Sequence, residues 1–122
     1  MGAVDDALGT VLGLDGAVAV AVVDYNSGLA LAQQQNAPFD LELAAAVNTE
    51  VVKAKLRAIE QLGLNEKIED ILITLSSQYH LIRLSDRAGM EGVFSYLVLD
   101  KSKANLALAR RGLAALDSSI SL

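Results

Sequence analysis

The 122-residue chain has no cysteine, one proline and one histidine. Without cysteine there is no disulfide framework, no thiolate zinc cluster and no thiol nucleophile. The single histidine has no second imidazole with which to share a metal. Charge is scarce as well: 20% of the residues are Asp, Glu, Lys or Arg, against 52% hydrophobic, and the mean hydropathy is +0.37. Average soluble domains carry about 25% charged and about 45–50% apolar residues. A lone domain of the present composition is short of polar cover, whereas a subunit that hides one side in an oligomer is not. Long apolar runs are missing too. The longest, Ala17 to Val23, falls far short of the roughly 20 residues that span a bilayer, so no membrane insertion is expected.

The N-terminus, MGAVDDALG, has two acids and no basic segment, which excludes a signal peptide. Gly2 is not followed by a myristoylation motif, because Asp6 stands where that motif needs Ser or Thr. The expected compartment is the cytoplasm. Ten Lys and Arg are scattered through a chain of net charge −5, a pattern that does not build a nucleic-acid surface.

What is present is one domain, residues 1–122, large enough to bury a core. Val4, Leu8, Val11 and Leu12 recur at helical spacing up to Gly13. GAVAVAVVDY is a strand with two apolar faces, valines 18, 20 and 22 on one and alanines 17, 19 and 21 on the other, as a central strand requires. Asn26, Ser27 and Gly28 turn the chain into a second strand, LALAQ. Asp40 can cap a long helix that stops near Gly63. KIEDILITLS, YHLIRLSD and VFSYLVLD are three further strands, and Asp100 or Ser102 can cap a last helix with Leu106, Ala109, Leu113, Leu116 and Ile120 on its apolar side. The order is αββαβββα, an α+β sandwich with helices on both faces of a five-stranded sheet.

No catalytic constellation emerges, and neither an enzyme nor a cofactor is expected. DYNSG is followed by a strand, where a phosphate-binding turn needs a helix. His80 alternates with Ile82 and Leu84 on a strand, which points to a structural role. Asp24 sits where it can brace the hairpin turn. Glu69 and Asp70 are neighbours on a strand and face opposite ways, whereas paired carboxylates must face one pocket; an acidic pair there guards a strand edge. Arg83 and Arg87 fit solvated strand ends better than arginine fingers.

The informative segment is LELAAAVNTEVVKAKLRAIEQL, residues 41–62. At 100° per residue it carries two apolar stripes where an ordinary surface helix has one. Leu43, Val47, Val51, Ala54 and Ala58, at a spacing near 3.6, suit packing on the sheet. Leu41, Ala45, Asn48, Val52, Lys55, Ile59 and Leu62 keep a strict 4–3 spacing, that of a helix–helix seam with two polar interruptions. Across a two-fold axis that seam would pair with its own copy, with Asn48 bonded to its mate. The alternative is that 41, 45 and 59 are one broad core face with Asn48 and Lys55 at its margin. The remaining polar side, with Glu42, Thr49, Glu50, Lys53, Arg57 and Glu60, is then free for a partner or for solvent.

With Gly16 entering an apolar strand, GAVAVAVVDYNSGLALA as first hairpin, the AAAVNTEVVKAKLRAI helix, three strands and a closing helix, the chain resembles the bacterial form of the roadblock (dynein light chain) family over residues 3–117. The resemblance implies an antiparallel or mixed sheet ordered 2-1-5-4-3, with the second helix alone on one face and the terminal helices on the other. It implies a homodimer that packs second helices side by side and joins third strands, bringing in Ile71 and Ile73. It further implies a non-enzymatic activator or scaffold for a small Ras-like GTPase, bound through the polar side of the second helix. A second class, a sensory module holding a small ligand between sheet and helix, has the close-packing Ala17, Ala19 and Ala21 against it.

Overall fold

The computed structural model describes residues 2–120. Along the chain run α1 (Ala3–Leu12), β1 (Ala17–Asp24), β2 (Leu29–Gln35), α2 (Leu41–Gln61), β3 (Asp70–Thr74), β4 (Gln78–Leu84), β5 (Val93–Asp100) and α3 (Leu106–Ser119). The strands form one sheet in the order β2-β1-β5-β4-β3, with every neighbouring pair antiparallel.

Residue type decides position in this sheet. β1 and β5 are apolar on both faces and lie inside it, each buried along almost its whole length. β2 alternates exposed with half-buried residues and takes one edge, where its glutamines extend the strand past LALAQ to Gln35. At the opposite edge β3 keeps only Asp70–Thr74 of the expected KIEDILITLS. An edge strand this short exposes little unpaired backbone.

Two cores flank the sheet. On one face Val20, Val22, Leu81, Leu97 and Leu99 meet Leu8 and Val11 of α1 and Ala109, Leu113 and Leu116 of α3. On the other, Ala19, Ala21, Val23, Ile82, Phe94, Tyr96 and Val98 meet Leu41, Ala44, Ala45 and Val52 of α2. The expected alternation of β1 fails at its start. Val18 packs on the α2 side and Ala17 on the other, because the register with β5 slips between Ala17 and Ala19.

The caps follow short-range chemistry. Asp40 caps α2, its carboxylate accepting from the Leu43 N–H at 3.0 Å. The cap of α3 is Asn105. Asp100 is diverted from that role because it accepts from the Ser102 N–H and hydroxyl within its own turn, at 3.0 and 2.8 Å. Gly16 occupies the left-handed region at φ +83°, where a Cβ would lie 3.0 Å from the Asp100 carbonyl oxygen and 3.1 Å from the Ala104 nitrogen.

Candidate functional site

The two stripes of α2 exchange the roles expected from spacing. Leu41, Ala45, Asn48 and Val52, assigned to the seam, are buried against the chain's own sheet, with 2, 1, 7 and 0% of their surface exposed. They cannot present a surface to a second copy. Of the other seam residues, Lys55 and Leu62 are exposed and Ile59 is half-buried. The stripe assigned to the sheet faces outward instead: Leu43, Val47 and Val51 are 58, 52 and 37% exposed. Of the broad-core alternative, Leu41 and Ala45 are core residues and Lys55 lies outside it, whereas Asn48 is buried rather than marginal and Ile59 is only half-buried; the exposed apolar residues belong to the second stripe.

Two local bonds explain why polar residues sit on the buried side. The Asn48 side-chain amide donates to the Ala44 carbonyl at 2.8 Å and the Thr49 hydroxyl to the Ala45 carbonyl at 2.7 Å. Each reaches back one turn and satisfies itself within the helix, so burial leaves no orphan group. Size supplies the second reason. Ala44 and Ala45 share a core with Ala19 and Ala21 of β1, small side chains on both elements between the larger Leu41 and Val52. Thr49, assigned to the partner side, is thus a core residue at 3% exposure. Glu42, Glu50, Arg57 and Glu60 stand in solvent and Lys53 is half-buried.

Coverage of the sheet is uneven. A helix is about 10 Å across and strands lie about 4.8 Å apart, so one helix covers about two strands. α2 lies over β1 and β2, while two helices share the opposite face. On the α2 side of the outer strands Ile82 is fully buried, while Ile71, Ile73, His80 and Leu84 are only half-buried. The exposed stripe of α2 and these half-buried residues lie on the same side of the sheet, and a hollow lined by Lys55 of α2 with Lys67, Glu69, Asp70 and Ile71 adjoins the β3 edge.

On the same side lies a polar group around His80 whose other members, Tyr96 and Gln78, the sequence did not single out. The Tyr96 hydroxyl is 3.0 Å from His80 Nδ1, and His80 Nε2 is 2.9 Å from Gln78 Oε1. Burial pushes the Tyr96 phenol up to about 12, the nearby Asn48 side chain acting in the opposite sense, and burial lowers the His80 imidazole from its ordinary value. The His80 ring stands edge-on to Tyr96 and Phe39, with centroids at 5.6 and 6.0 Å. The structural role read for His80 rests on these bonds.

The remaining candidates have structural partners. Asp24 braces its turn, accepting from the Asn26 N–H at 2.9 Å and from the Ser27 hydroxyl at 3.2 Å. Asp70 pairs with Arg110 of α3 at 3.0 Å. Arg83 and Arg87 are not solvated strand ends. Arg83 Nε lies 4.0 Å from the buried Asp117 carboxylate, and Arg87 donates to the carbonyls of Asp117 and Ile120, capping the C-terminus of α3. A groove of about 460 Å³ between α1 and α3 is lined by Ala3, Ala7, Thr10, Gly112, Ala115 and Ser119 among others. Its hydroxyls already donate to helix carbonyls, Thr10 to Asp6 and Ser119 to Leu116, and so do not converge on a ligand. Among the described residues no cluster of His, Cys, Asp and Glu could hold a metal, and no helix is long and apolar enough to cross a membrane.

No protein-family model and no curated protein sequence matches the chain. Solved structures do. A Roadblock/LC7 domain from Streptomyces avermitilis superposes with a TM-score of 0.80 at 15% identity, covering 94% of this chain and 92% of that one. MglB of Myxococcus xanthus gives 0.79 at 16% identity, over 96% and 84% of the two chains. The gliding protein MglB of Thermus thermophilus gives 0.74 at 19% identity, over 97% and 90%. The fold is that of the Roadblock/LC7 domain, matched along nearly the whole of both chains.

Proposed function

We propose that the protein is a non-enzymatic homodimeric regulator or scaffold for a small Ras-like GTPase. The observation that carries the dimer is the uncovered apolar surface formed by Leu43, Val47 and Val51 beside the half-buried Ile71 and Ile73. Such a surface is costly on a monomer. A second copy fits it because the vacant strip of sheet has the width of one helix. Its helix would lie beside α2 over the β4–β3 half, with β3 edges adjoining, and a two-fold axis lets one patch serve both subunits. The low charge of the chain, 20%, accords with this hidden side.

With one side of α2 on the sheet and one on its copy, Glu42, Glu50, Lys53, Arg57 and Glu60 remain for a partner. Lys53 and Arg57 are one turn apart and can meet acidic side chains of a GTPase. The likeness in fold to the gliding protein MglB supports a role of this class. Sedimentation velocity should show a dimer at micromolar concentration; a monomer there removes the dimer. Reversing Lys53 and Arg57 to Glu should slow association with a cognate Ras-like GTPase in surface plasmon resonance, more at low salt than at moderate salt, with the dimer intact. Unchanged kinetics would place the partner on another face.

A further inference from the structure

We propose that the outer edge of β2 is a docking strand, where an extended, uncharged segment of the protein partner adds to the sheet beside the polar side of α2. The two edges of the sheet, β2 and β3, are guarded differently. β3 has five residues and begins at Asp70, next to Lys67 and Glu69. β2 has seven, LALAQQQ, and no charged residue occurs from Tyr25 to Phe39. Shortness, charge and internal proline are the usual protections of an edge strand, and β2 has none of them. Its bulge, opposite Val22 and Val23, leaves the stretch from Ala32 to Gln35 regular. One bond fixes which backbone groups face outward. The Asn36 N–H donates to the Val18 carbonyl at 2.7 Å, and Gln34 and Ala32 pair with Val20 and Val22 in the same register. Backbone groups alternate sides along a strand, so those of Gln33 and Gln35 point away from β1. Among the described residues no strand pairs with them. Leu29 and Leu31 of the same strand are 65 and 47% exposed. The edge is also preformed, because the Asn36 amide donates to the Leu12 and Ala17 carbonyls and the Gln34 amide to the Asp5 carbonyl.

A second copy fits this edge poorly. Two-fold pairing along the whole strand sets Leu29 against Gln35 and Leu31 against Gln33. Sliding the copy until Leu29 meets Leu31 leaves only residues 29–31 overlapped. A different segment, with apolar residues opposite the leucines and no charge, satisfies both the backbone and the side chains. Position selects its source. α2 lies over β1 and β2, and at the turn between them a Cβ on Gly28 would stand 3.8 Å from Ala46 Cα and 3.9 Å from Thr49 Oγ1. Glu42 precedes Ala46 by one helical turn, Lys53 follows Thr49 by one, and Glu60 continues the same flank. Lys55, on the opposite flank, lines the hollow at β3. The polar side of α2 is thus turned toward the β2 side of the sheet, and one partner can reach both.

The choice of partner rests on the reading of α2 as a partner site, and the two are separable by experiment. In amide hydrogen exchange of the isolated protein, Gln33 and Gln35 should exchange rapidly. Slow exchange there would mean that a second copy holds the edge, and overturns its assignment to a partner. In complex with a cognate Ras-like GTPase the same two amides should become protected; binding that leaves them unprotected also overturns it. Gln33→Pro removes an outward N–H, a change an edge strand tolerates, and Leu31→Lys places a charge on the edge. With circular dichroism unaltered, each should raise the dissociation rate in surface plasmon resonance by about tenfold. The joint reversal of Lys53 and Arg57 to Glu acts instead on association and fades with salt. If that reversal slows association while both edge variants dissociate like the wild type, the edge is not used and the α2 reading stands alone. If the edge variants respond and the reversal does not, the docking strand holds and the α2 reading falls.

Discussion

Asp70 and Arg110 meet at 3.0 Å, an ion pair that ties the short edge strand β3 to α3. The pair holds the β3 edge at the rim of the proposed dimer surface. Both side chains are partly exposed, 23 and 45% respectively, and pairs of that kind contribute little in water, about 0.2–1 kcal/mol. Arg110→Ala should lower stability by no more than about 1 kcal/mol. Urea denaturation should show the difference shrinking at high salt. A larger loss, or one that ignores salt, would mean that the Arg110 stem matters through packing.

The exchange of stripes on α2 separates two substitutions about one and a half turns apart. Val47→Glu changes an exposed residue and should give a folded monomer, with unaltered circular dichroism and a halved sedimenting mass. Val52→Asp buries an unpaired carboxylate at a site 0% exposed and should cost several kcal/mol, enough to unfold the domain. If Val47→Glu still sediments as a dimer, the apolar stripe is not the assembly surface.

Asn48 serves as a test of the buried network. A seam asparagine replaced by leucine would raise stability. Here Asn48→Leu removes a buried donor to the Ala44 carbonyl. Thermal and urea unfolding should show a loss of about 1–3 kcal/mol. A gain in stability would return Asn48 to the subunit interface.

Gly16→Ala should destabilise although it adds one methyl group. The residue has φ +83°, and the new Cβ would press on the backbone of Asp100 and Ala104 at 3.0 and 3.1 Å. Strain of this kind costs of order 1–3 kcal/mol, and backbone neighbours cannot move aside as a flexible side chain can. A change below about 0.5 kcal/mol, the usual size for a surface substitution, would show that the β1 entry relaxes freely.

Local pattern alone determined the element order, the two-faced β1, the Asp40 cap and the presence of a second apolar stripe on α2. Each depends on residues within a turn or a strand of one another, and periodicity records such relations directly. Which stripe lies on the sheet was decided only in the folded molecule. Spacing on α2 favoured 41, 45, 48 and 52 as an outward seam. The meeting of Ala44 and Ala45 with Ala19 and Ala21, and the back-bonds of Asn48 and Thr49, turned that side inward. The cap of α3 moved to Asn105 because Asp100 found Ser102 first, a competition between two short-range bonds that composition does not rank. The bond between Tyr96 and His80 needs β4 and β5 in register, and the tethering of Arg83 and Arg87 to the end of α3 likewise joins distant segments. Hydrogen bonds and ion pairs between distant segments leave no periodic trace in a sequence, since they depend on where strands and helices stop, and that is settled by packing.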